Sequence, residues 1–217
     1  MTAKLNIFDF DDTIVRSMEY WLEQGKLSLE KANIAVPQNY MMLASSKSMP
    51  DLARTLKELY PKLPSAESML ECWDNQMLKN YQNNIELVTG AKEFLTAQKN
   101  SGHKLILVSG TSTHLLSQAL EHFELDGIFD YILSERETGL SKRNPKFFEY
   151  CMKLVNADAS DTEVYEDSVY ALRTAKEMGI KTTAVRAGWM SEYADEIEII
   201  ASRAIDNFFD LNKNFAD

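Results

Sequence analysis

Three aspartates fall within four positions near the amino end, Asp9, Asp11 and Asp12 in the stretch LNIFDFDDTIV. Carboxylates this close repel strongly in a low dielectric unless a cation or a proton intervenes. Magnesium is the natural cation, being hard, oxygen-seeking and commonly held by one or two carboxylates plus a substrate phosphate. At a strand end, the two-residue spacing of Asp9 and Asp11 lets both carboxyl groups approach one cavity. Glu166 and Asp167, much later in the chain, would supply a further ligand. Ser109, followed by Gly110, offers a hydroxyl, and Lys142 in SKRNPKFFEY offers a cation.

Each signal has an ordinary reading when taken alone. Asp-x-Asp is common, Glu-Asp-Ser serves as a helix N-cap, Ser-Gly serves as turn chemistry, and lysines are mostly solvated. Order and placement give them weight, because the polar residues stand at the ends of apolar runs. Those runs are Leu5 to Phe10, KLILVS (104–109), DYILS (130–134), TEVYE (162–166) and KTTAV (181–185). Helical patterns lie between them, over 90–100, 113–123, 145–156 and 169–178. Strands alternating with helices predict an α/β fold with a doubly wound, Rossmann-like parallel sheet. Such sheets bind ligands beyond the carboxyl ends of their strands.

The stretch 17–86 breaks the alternation. It shows helix and no convincing strand, and 65–83 shows it best, with Ser65 a candidate N-cap. It is expected to be an all-helical cap domain, inserted into a core formed by residues 1–16 and 87–217. From Trp189 to the end, a helix and a final strand near 203–206 are expected.

With 217 residues, 45% of them apolar, the chain can bury one substantial core. Its net charge of −10 argues against nucleic acid or an anionic membrane as partner. Cys72 and Cys151 lack metal spacing and fit a reducing compartment. There is no leader-like segment and no apolar run of ~20 residues. A cytoplasmic protein, monomer or homodimer, is expected.

Taken together, the motifs resemble those of the haloacid dehalogenase superfamily. FDFDDT is similar to its first motif at Asp9, Asp11 and Thr13, and LILVSG to its second at Ser109. SKRNPKFF is similar to the third at Lys142, Pro145 and Phe148, and VYEDS to the fourth at Glu166, Asp167 and Ser168. The position usually held by Gly after Asp11 is Asp12, a residue that tolerates turns. The Pro expected after the motif lysine is Arg143, and a Gly expected later is Ala171.

The resemblance implies a magnesium-dependent phosphatase acting on a small phosphorylated metabolite. Asp9 would be the nucleophile and Asp11 the acid and base. Ser109 and Lys142 would contact the phosphoryl group, with Thr13 and Gly110 also on the substrate side. Mg2+ would be held by Asp9, the Asp11 carbonyl and Asp167, with Glu166 in its outer shell. Asp11 disfavours dehalogenation, since a halide needs no general acid. Two alternatives stay open: a phosphomutase of the beta-phosphoglucomutase type, and a non-catalytic phosphate-binding protein. Outside the motifs, His103, His114 and His122 show no metal spacing. Trp21, Tyr40, Lys47, Trp73 and the loop 45–48 are candidates for substrate contact, and Arg16 for phosphate contact or for a plain linker role.

Overall fold

A computed structural model describes residues 4–45, 47–186 and 193–215. The chain divides into two compact units, residues 1–16 with 86–217, and residues 17–85.

The first unit is built on six parallel strands: β1 (Leu5–Phe8), β2 (Lys104–Ser109), β3 (Tyr131–Ser134), β4 (Thr162–Glu166), β5 (Lys181–Val185) and β6 (Arg203–Ile205). Their order in the sheet is β3-β2-β1-β4-β5-β6. The order reverses direction at β1, which pairs with β2 through Ile7 and Ile106 and with β4 through Ile7 and Val164. The carboxyl ends of β1, β2 and β4 therefore adjoin, and a crevice for a ligand belongs there.

The strands are near-continuous apolar runs because both faces are covered. On one face Leu5, Ile7, Ile106, Val108 and Val164 pack against Phe147, Phe148 and Cys151 of a helix, Pro145–Val155. On the other, Phe8 stacks on Tyr165 at 4.4 Å and meets Phe94 edge-on at 6.2 Å. Each such side chain removed from water contributes about 1.5–3 kcal/mol. Pro145 starts its helix well, since its missing N–H is one that a first turn leaves unpaired. The Asn144 side chain caps it by accepting from the Lys146 amide.

At the carboxyl end of the described chain stand a helix, Ala194–Ile200, and β6, as expected, followed by 3₁₀ turns over Phe208–Phe215. Trp189 lies outside the described residues. Gly90 precedes another helix, Ala91–Asn100, with φ of 79°. Its left-handed backbone lets Phe208 donate to the Thr89 carbonyl while Phe209 packs against it.

The second unit is all helical among the described residues: Met18–Lys31, Tyr40–Ser45, Met49–Leu59 and Ala66–Asn83. Ser65 caps the last of these by accepting from the Ser68 amide. Trp21, Tyr40 and Trp73, read from sequence as possible substrate contacts, are buried within this unit. The Trp21 indole donates to the Tyr81 hydroxyl, and the Trp73 indole to Ser28 Oγ at 2.8 Å. Of the loop 45–48, Ser46 lies outside the described residues, and Ser48 caps a helix by accepting from the Asp51 amide. No helix of the described residues is long and apolar enough to cross a membrane.

Candidate active site

The chain leaves β1 at Phe8 and turns sharply. The Phe10 carbonyl accepts from the amides of Thr13, Ile14 and Val15, the tightest being Ile14 at 2.8 Å. That turn needs a left-handed residue, and Asp12 supplies it with φ of 59°. This accounts physically for Asp standing where glycine is usual, because Asp is among the few other residues that visit this region routinely. Arg16 ties the turn down by donating to the carbonyls of Asp12 and Asp206.

Asp9, Glu166 and Asp167 are buried and can each present one carboxylate oxygen within 4.8 Å of the others. Lys142 comes to them from the loop before the Pro145 helix. Its Nζ donates to Asp9 Oδ1 at 2.6 Å and to Glu166 Oε2 at 2.8 Å. Its backbone amide donates to Glu135 Oε1 at 2.5 Å, which fixes the loop. The other Glu166 oxygen accepts from the Ser168 amide and hydroxyl. Arg143, next in sequence, is exposed and stacks its guanidinium 3.8 Å above the Tyr170 ring. It is a surface arginine.

Asp11 faces β2. Its Oδ2 accepts from the Thr111 hydroxyl at 2.7 Å and from Ser109 Oγ at 3.4 Å. Gly110, between those two, has its carbonyl held by Arg136 Nε at 2.9 Å. Thr13 is fully buried, and its hydroxyl has no partner among the described residues.

Burial dominates the electrostatics. It pushes Asp9 well above the usual carboxylate range, Glu166 adds repulsion, and Lys142 opposes both. Asp167 is raised for the same first reason, with Glu166 and Asp9 adding to it. Burial alone would lower Lys142, but the attraction of Asp9 and Glu166 outweighs it and holds the lysine well above its ordinary value. One ammonium thus faces three buried carboxylates. An all-oxygen cluster with uncompensated negative charge suits a hard divalent cation. Asp9, Glu166 and Asp167 are the residues that could hold it.

The structure therefore gathers Asp9, Lys142, Glu166 and Asp167 into one buried group, with Asp11, Ser109 and Thr111 in a second linked set beside it. The histidines stand elsewhere. His103 meets Asn6 at 3.1 Å near the amino ends of the strands, His114 is exposed beside Gln118, and His122 lies edge-on to Phe123. Sequence reading missed Thr111 and Glu135. The spacing of Ser109 and Thr111 repeats that of Asp9 and Asp11, and this was the available signal for Thr111. Glu135 offered none, because it acts through space on a backbone amide.

Comparison with known proteins matches residues 6–185 to the family described as haloacid dehalogenase-like hydrolase. The chain is 22% identical over 199 residues to the glyceraldehyde 3-phosphate phosphatase of Pyrococcus abyssi, covering 85% of this chain and 82% of that one. Among solved structures it resembles CbbY from Rhodobacter sphaeroides in complex with phosphate, with a TM-score of 0.79, 17% identity, and 97% and 96% of the two chains covered. It also resembles YfnB from Bacillus subtilis bound to magnesium, with a TM-score of 0.71, 17% identity and all of each chain covered.

Proposed function

We propose, from the premise that the chain belongs to the haloacid dehalogenase-like hydrolase family and is a phosphoric monoester hydrolase, that it hydrolyses a small phosphorylated metabolite with magnesium and through an aspartyl-phosphate. The observation that carries this reading is Lys142 seated between Asp9 and Glu166, with Asp167 beside them. A relative that acts on a triose phosphate and a structural neighbour that binds magnesium support it.

In the first step an Asp9 carboxylate oxygen bonds to phosphorus as the ester P–O bond breaks. Asp11 gives its proton to the departing alkoxide. In the second step Asp11, now a carboxylate, takes a proton from a water molecule as that water attacks phosphorus. The acyl-phosphate bond breaks, inorganic phosphate leaves, and Asp9 is regenerated. Lys142 donates to Asp9, opposing the effect of burial on it, and compensates charge on the transferring group, while Ser109 donates to a phosphoryl oxygen. Phosphoryl transfer asks mainly for alignment and charge compensation, and this set offers both. A magnesium ion held by the side chains of Asp9 and Asp167 and the Asp11 carbonyl would supply further positive charge at the phosphoryl oxygens. Glu166 accepts from Lys142 and orients it, and would stand in the outer shell of that ion.

The test is a panel of phosphate monoesters assayed for free phosphate with and without magnesium. Release from at least one member, dependent on magnesium and abolished by Asp9→Asn with the fold intact, is expected. Interconversion of sugar phosphates without phosphate release would overturn the hydrolytic reading in favour of a mutase.

A further inference from the structure

We infer that Thr111 is a positioning residue that fixes the Asp11 carboxyl group for its two proton transfers. The inference rests on the reading of Asp11 as acid and base. Asp11 lies past the end of β1, where its backbone bridges Val15, and it is half-buried. Thr111 is buried, 3% exposed, and its hydroxyl reaches Asp11 Oδ2 at 2.7 Å. The Ser109 hydroxyl reaches the same oxygen at 3.4 Å, beyond the usual O–H···O range. Thr111 is therefore the stronger of these two hydroxyl contacts.

Thr111 also acts on Ser109. Its amide donates to Ser109 Oγ at 3.0 Å, which occupies a lone pair and leaves the serine hydrogen for another acceptor. When Ser109 turns that hydrogen to a phosphoryl oxygen, Asp11 keeps the Thr111 bond. The anchor itself is stiff. Threonine is β-branched, and Thr111 sits between the end of β2 and Ser112, the N-cap of the helix Thr113–His122. With Oδ2 accepting from Thr111, the orientation of the Asp11 carboxyl group is set for its proton transfers.

The test compares wild type, Thr111→Val, Thr111→Ser and Asp11→Asn, with magnesium and with p-nitrophenyl phosphate and an alkyl phosphate as substrates. Loss of alignment at a reacting group costs up to roughly 100-fold in rate. With the alkyl phosphate, Thr111→Val is expected to lower kcat about 10- to 100-fold with KM within about threefold, the signature of an interaction made only in the transition state. Thr111→Ser should restore kcat to within about threefold of wild type, as it keeps the donor. Nitrophenolate leaves without an acid, so Thr111→Val should show a burst near one enzyme equivalent followed by slow turnover. A merely structural role would produce no such burst. If Thr111→Val does not fold, Thr111→Ala takes its place. Thr111→Val with wild-type kcat alongside an inactive Asp11→Asn overturns this inference alone, as does Thr111→Ser as slow as Thr111→Val. Asp11→Asn with wild-type turnover overturns the underlying reading as well.

Discussion

Lys142 is paired with two buried carboxylates, and replacing it with methionine tests that compensation directly. Its side chain is 3% exposed, and those of Asp9 and Glu166 are 6% and 1%. At 2.6 and 2.8 Å, and with an effective dielectric constant of about 20, each contact carries roughly 6 kcal/mol of Coulomb attraction. The cost of desolvating the ammonium offsets several kcal/mol of that sum. What Lys142→Met removes is the compensation, while the carboxylates stay buried, and breaking such a pair costs about 3–5 kcal/mol. For a chain of this size that lowers the melting temperature by roughly 6–20 °C. Methionine fills nearly the same volume, so cavity formation contributes little. Urea or thermal unfolding without divalent ions reads the loss. A cycle with Glu166→Gln isolates the pair, because the double variant has one fewer buried charge to leave unmatched. It should be less destabilised than the two single losses added, by about 0.5–3 kcal/mol. Strict additivity within ~0.5 kcal/mol, or a melting temperature within about 2 °C of wild type, would refute the claim that Lys142 compensates these carboxylates.

Three further outcomes follow from features away from the cluster. Gly90→Ala would place a Cβ 2.9 Å from Phe209 Cδ1 at a φ of 79°. It should cost about 1–3 kcal/mol in urea unfolding, and a neutral result would mean that the turn can relax. Burial pushes the Asp130 carboxyl upward, but the Leu105 amide, Lys104 and Lys99 outweigh it and hold it below its ordinary value. A carboxyl depressed by folding stabilises above its unfolded pKa of about 4 and loses that contribution as pH falls through the lower folded value. Asp130→Asn should therefore lower the urea midpoint at pH 7, and the gap from wild type should shrink on acidification; a gap that widened would reverse the sign argued here. Cys72 is exposed and Cys151 buried, its thiol pushed up to about 12 by burial. One thiol should react quickly with Ellman's reagent at pH 8 and the second only on unfolding; fast reaction of both would contradict the packing.

The strands were legible because they are buried on both faces, and such runs carry their length in their composition. KLILVS and TEVYE coincide with β2 and β4 residue for residue. The helix starts at Ser65 and Pro145 were legible for a similar reason, since a cap is a local interaction whose partners lie within four residues. Contacts closed through space were not. The stacking of Arg143 on Tyr170, the hold of Glu135 on the Lys142 amide and the tie from Arg16 to Asp206 depend on where the sheet brings distant segments. Thr111 falls between these cases. SGTS reads as a turn followed by a cap, and Ser112 does cap a helix. The threonine's second partner, Asp11, is exactly 100 positions away in sequence.

The place of β1 in the sheet has a consequence for biosynthesis. Leu5 pairs with Lys104 on one side and Thr162 on the other. A ribosome adding ~5–20 residues per second leaves this apolar strand without either neighbour for roughly 5–20 s. The helical unit, whose contacts are local, can fold in that interval. The strand before Asp9 therefore waits for its neighbours, and slow translation over 17–103 would lengthen the period in which chaperones have an exposed hydrophobic segment to bind.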